Sequence, residues 1–172
     1  MEINKILLAV TVAMGMSQVS LAHAEDQGHG QVKFHGMIID SPCSIDDQSQ
    51  DQTVELGQIS DVALSNGGTS KPKSFNVMLK NCSISTASTV TTTFTGLAGQ
   101  DGKLGISGTA SGAGIVLTDA AGNKIELAKP SSAHTLQNGD NTLSFAAYVQ
   151  GDGASVTPGE FSSVADFTLA YQ

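Results

Sequence analysis

The sequence has no arginine and no tryptophan; all eight of its basic residues are lysines, and its net charge is -8 with a pI near 4.7. Nucleic-acid recognition leans on basic patches and on the bidentate arginine fork, so this composition argues against a nucleic-acid partner. A bare anionic membrane surface would repel the chain as well. Nucleophile and metalloprotease signatures are also missing: neither G-x-S-x-G nor H-E-x-x-H occurs. His29, His35 and His134 stand apart from one another, and the Asp46-Asp47 pair reads as a soluble loop. The expectation is a protein that is not an enzyme and that uses neither cofactor nor metal.

Only two cysteines and one long apolar run are present. The run, residues 6–16, follows Lys5 and is interrupted by Thr11; Ala22-His23-Ala24 then offers a small-x-small cleavage site. It falls short of the roughly 20 residues of a membrane span. Residues 1–24 therefore read as a signal peptide, with no direct membrane insertion expected after it. Cys43 and Cys82 both follow the cleavage site. An exported chain with an even cysteine count is expected to pair them.

What the sequence does contain is glycine, serine and threonine, between short alternating segments. Charged residues make up 14% and hydrophobic residues 40%, enough for a core built from strands and tight turns. Residues 32–39 alternate, with Val32, Phe34, Gly36 and Ile38 on one face and Lys33 and His35 on the other. Residues 53–59 read as a short strand. Residues 73–81 alternate through Phe75, Val77 and Leu79, and residues 89–95 through Val90, Thr92 and Phe94. Residues 99–114 read as a glycine-rich loop with a small strand near Leu104. Residues 115–118 and 124–127 flank a hairpin turn. Asn138-Gly139 opens a long strand over residues 141–150, with Leu143, Phe145, Ala147 and Val149 inward. The chain ends on a strand in which Phe161, Ser163, Ala165, Phe167, Leu169 and Tyr171 share a face. No helical period stands out, and the pattern suggests an immunoglobulin-like β-sandwich.

The two ends of this pattern do not balance. About six main strands follow Cys43, where such a sandwich wants roughly seven. A spare alternating segment precedes Cys43, tethered by glycines. Counting leaves two readings open: residues 32–39 are the first strand of their own sandwich, or they are lent to another copy.

Several stretches taken in order carry a family resemblance: residues 30–36 (GQVKFHG), 41–43 (SPC), 51–59 (DQTVELGQI), 74–82 (SFNVMLKNC) and 166–172 (DFTLAYQ). With them the sequence resembles the fimbrial major pilins of the chaperone–usher pathway. The resemblance implies an all-β, incomplete immunoglobulin-like sandwich lacking its last strand, completed by donor-strand exchange. Residues 25–41 would form the donor extension and residues 42–172 the pilin domain. Val32, Phe34, Gly36 and Ile38 would fill a neighbour's groove, with Gly36 where that groove is shallow. Phe167, Leu169 and Tyr171 would line the receiving groove, and the Gln172 carboxylate would meet basic residues of a chaperone. The partners implied are identical pilin subunits, a periplasmic chaperone and an outer-membrane usher. The destination would be a fimbria on the bacterial surface, reached through the periplasm. A minor or adaptor pilin, or a secreted sugar-binding adhesin domain, is the alternative.

Overall fold

The computed structural model describes residues 28–39, 41–153 and 155–172. The expected signal peptide lies outside them. The chain divides into two units, the N-terminal segment up to Ile38 and the domain from Ile39 to Gln172.

In chain order the domain's strands are β1 (Ser44–Ile45), β2 (Lys73–Cys82), β3 (Thr89–Gly96), β4 (Ser107–Gly108), β5 (Ala113–Asp119), β6 (Lys124–Ile125), β7 (His134–Thr135), β8 (Gly139–Gly151), β9 (Phe161–Ser162) and β10 (Ala165–Tyr171). One sheet runs β1-β2-β8-β5-β6, a second runs β10-β3-β7, and β4 pairs with β9. Among the described residues every strand pairing is antiparallel. Period-two alternation decides what faces inward. Val77 and Leu79 on β2, and Leu143, Phe145, Ala147 and Val149 on β8, are buried against Val90 and Phe94 of β3. The expected inward faces of these three strands are found as read. Phe94 sits at the centre of an aromatic cluster, edge-on to Phe145 at 5.1 Å and to Phe75 at 6.2 Å. Such contacts add to burial by about 1 kcal/mol each.

The disulfide joins Cys43 to Cys82 and ties β1 to the end of β2. It closes a separation of 39 residues. In the chain-entropy account, opening that loop costs about 4 kcal/mol. Cys43→Ser is therefore expected to lower the denaturation midpoint sharply and to reduce the amount of protein recovered from the cell. Unchanged abundance and midpoint would show the bond to be dispensable.

Three expectations need correction. Residues 53–59 form no strand: among the described residues their backbone makes no ladder, although Leu56 and Ile59 rest against the core. A β-conformation is held by a partner's hydrogen bonds, and no partner lies beside this stretch. Residues 32–39, read as an alternating strand, make no ladder in a single copy. The long final strand is two strands, because Ser163-Val164 breaks the run: Phe161–Ser162 pairs with β4 and Ala165–Tyr171 with β3. Two four-residue helices, Asp47–Gln50 and Asp61–Leu64, were too short to leave a period. Asp46 caps the first, its side chain accepting from the Gln48 N–H at 3.1 Å.

Candidate functional site

β10 is an edge strand, paired on one side only. The hydrogen-bond alternation says which of its groups are left over. Gln172 and Thr89 exchange both backbone bonds, each at 2.9 Å. Counting back along the antiparallel register, Ala170, Thr168 and Asp166 aim their backbone groups at β3. Ala165, Phe167, Leu169 and Tyr171 aim theirs at the open edge. The same four side chains are half-buried and lean over the core. One side of β10 thus presents a row of unsatisfied N–H and C=O groups above an apolar floor, which is a template for another strand.

Across from this edge lies the unpaired stretch of residues 53–59, with Val54 and Leu56 turned inward and Glu55 outward. Between the two walls runs an open groove. A cleft of about 1240 Å³ is lined by Cys43 and Ile45 at one end, by Phe75, Phe94, Ile115, Leu117 and Ala147 along the floor, and by β10 on the side. It is followed by a cleft of about 800 Å³ toward Ile106, Val156 and Phe161. Val54 and Leu56 line both, so the two are halves of one trough. At the Tyr171 end, burial pushes the phenol above its ordinary range, opposed by a hydrogen bond with Ser41. The Tyr171 hydroxyl is therefore neutral at physiological pH and serves as an apolar wall with a polar tip.

The floor is not level. Leu104 enters it from the glycine-rich loop, 96% buried, held by two 2.8 Å backbone bonds with Ile115. Its Cδ1 occupies the space beside Gly96, where a Cβ would stand only 2.6 Å away. Gly96 is the partner of Ala165, so the floor is raised at the level of Ala165. On the other side of the chain, the Lys103 stem passes over Gly114, and its ammonium reaches Asp152 Oδ1 at 2.6 Å. The contact is ionic and not an aligned hydrogen bond. A lysine this buried has to be paired, and the pair pins the loop that carries Leu104.

Of the residues singled out by sequence, Phe167, Leu169 and Tyr171 line the groove. Gln172 is exposed, and its backbone oxygen receives the Ser88 and Thr89 N–H groups. Val32 and Phe34 are 74% and 89% exposed, Ile38 fully so, and nothing lies within 4 Å of a Cβ built on Gly36. The floor residues Phe75, Phe94 and Leu104, the wall over residues 53–59 and the Lys103–Asp152 pair were not anticipated. Among the described residues, no three His, Cys, Asp or Glu side chains cluster to hold a metal ion, and no helix is long and apolar enough to cross a membrane.

Comparison with known proteins places this geometry. The family model described as "Fimbrial protein" matches residues 32–172. The chain is 58% identical to the Fimbria A protein of Serratia marcescens, with all of both chains covered. It is 49% identical to the major MR/P fimbria protein of Proteus mirabilis, again over the whole of both. Among solved structures it is similar to the P pilus rod subunit PapA, with a TM-score of 0.69 and 36% identity, covering 77% of this chain and all of that one.

Proposed function

The chain belongs to the fimbrial protein family and is a structural subunit of surface fimbriae; from that premise we infer that residues 30–38 of one copy complete the open groove of the next. The unpaired β10 edge above an apolar trough is the observation that carries this reading. The fold, an immunoglobulin-like sandwich missing a strand, leaves room for one, and the segment ahead of Cys43 has the matching alternation.

The raised floor supports one register. The only small residue on the apolar face between Val32 and Ile38 is Gly36, and it suits the shallow station at Ala165. An antiparallel strand anchored there sets Phe34 beside Phe167 and the aromatic cluster, Val32 beside Leu169, Gly30 beside Tyr171, and Ile38 toward the second cleft. A parallel strand with the same anchor would bury the Asp40 carboxylate against Leu169, which is costly. Burying Val32, Phe34 and Ile38 contributes about 5–9 kcal/mol, at 1.5–3 kcal/mol each. Backbone bonds to Ala165, Phe167, Leu169 and Tyr171 add to this.

An exposed trough of this kind calls for cover before assembly. Export through the periplasm, a periplasmic chaperone lending a temporary strand and meeting the Gln172 carboxylate, and an outer-membrane usher complete the reading. Residues 25–41 then act as the donor extension, residues 42–172 as the pilin domain, and the chain's role is structural and not catalytic. The test is electrophoresis of purified fimbriae. Strand-linked copies run as an SDS-resistant ladder that collapses on heating in acid, whereas a single monomer band under all conditions would refute the linkage.

A further inference from the structure

We propose that the groove selects its occupant by charge as well as by shape: Asp166 on the β10 rim receives the outward-facing Lys33 and His35 of the incoming strand. This rests on the reading that residues 30–38 fill the groove of a second copy.

A strand seated in the trough buries one face and leaves the other at the rim. Alternation puts Lys33 and His35 on the rim face. With Gly36 opposite Ala165, His35 lies directly across from Asp166, and Lys33 lies across from Thr168, one diagonal from Asp166. Asp166 spends its backbone bonds on β3, so toward the incoming strand it is a non-hydrogen-bonded position. At such positions opposed Cα atoms stand about 4.5 Å apart and side chains approach most closely. Cross-strand pairs of opposite charge stabilise there, and like charges repel. On the second wall Glu55 is exposed between the half-buried Val54 and Leu56 and lines the second cleft, away from Asp166.

The charges on both sides are available. Among the described residues Asp166, Lys33 and His35 enter no ion pair, while Lys80, Lys103 and Lys129 are already matched to Asp140, Asp152 and Glu126. Residues 28–39 contain no Asp or Glu, in a chain whose net charge is -8. The segment's one formal charge is the Lys33 cation. Register and charge also agree. A slip of two residues one way sets Phe34 over the raised floor at Leu104; a slip the other way sets apolar Met37 opposite Asp166.

The test uses the full chain and follows the rate at which SDS-resistant multimers appear. Asp166→Lys alone, and Lys33→Glu with His35→Glu, are each expected to slow joining about tenfold. All three changes in one chain should recover most of the rate. Asp166→Asn gives a milder version, and raising salt to 0.5 M should slow the parent to the level of that variant while leaving the variant unchanged. Charge reversals that assemble at the parental rate, or a triple variant as slow as the worse single set, overturn the proposal. Phe34→Asp run alongside separates the two layers. If it blocks assembly while the reversals do not, selection at the rim falls and groove filling stands. If it too assembles, groove filling itself is refuted.

Discussion

Phe34→Asp is expected to stop polymerisation while leaving the folded domain intact. Phe34 is 89% exposed and belongs to the N-terminal unit, so its loss removes no packing from the domain that follows it. In the proposed joint it enters a neighbour's groove beside Phe167, Phe94 and Phe145. There the substitution forfeits about 1.5–3 kcal/mol of apolar burial. It also forces a carboxylate into an aromatic cluster with no cation beside it, at a further cost of several kcal/mol. Together these slow or weaken each joint by more than about 1,000-fold. The measurement is fimbria yield by electron microscopy beside subunit solubility and thermal midpoint. Normal fimbriae from this variant would count against the groove as the joint.

Removal of residues 25–41 should give the second large effect, and of a different kind. The shortened chain keeps β1 to β10, the disulfide and the open trough, so it remains a recipient. It cannot donate. Added to the parent chain in excess, it should cap growing polymers at one end and shorten them in proportion to its share, and on its own it should form none. Polymers built from the shortened chain alone would place the joint elsewhere on the domain.

Much of the sandwich was legible because its strands alternate cleanly and are separated by turn residues. Phe75, Val77 and Leu79, or Leu143, Phe145, Ala147 and Val149, announce their inward face by period alone. The disulfide was legible from the expected signal peptide and an even cysteine count. Residues 53–59 misled for a physical reason. Their alternation is that of a strand, but strand geometry needs a partner on the hydrogen-bonding side, and this stretch lies beside an empty place. The split of the last strand at Ser163-Val164 was hidden because Ser163 keeps the two-residue phase; its hydroxyl instead donates to the Gly105 carbonyl at 2.6 Å.

The site was half visible. The groove wall on β10 came with the family resemblance, which gives Phe167, Leu169 and Tyr171 of the DFTLAYQ stretch to the receiving groove. The floor could not. Leu104 looks like a stray apolar residue in a glycine-rich loop, and only the fold brings it under Gly96 and Ala165. Lys103 and Asp152 lie far apart in sequence, and neither sits in a motif. The rim charges were present in the sequence as the polar face of residues 32–39, but their counterpart appears only once β10 is known to turn Asp166 outward.

The most direct measurement is an engineered cross-link between two distinguishable copies. One copy carries Lys33→Cys and the other Thr168→Cys, so that any bond between the new cysteines joins two molecules. The proposed register places these positions directly opposite each other, about 4.5 Å apart between Cα atoms, within disulfide reach. Mixed fimbriae oxidised and heated in acid should yield a reductant-sensitive dimer whose linked peptides contain positions 33 and 168. A monomer under those conditions, from fimbriae that had assembled normally, would show that residues 32–38 do not lie along β10 of the neighbouring subunit.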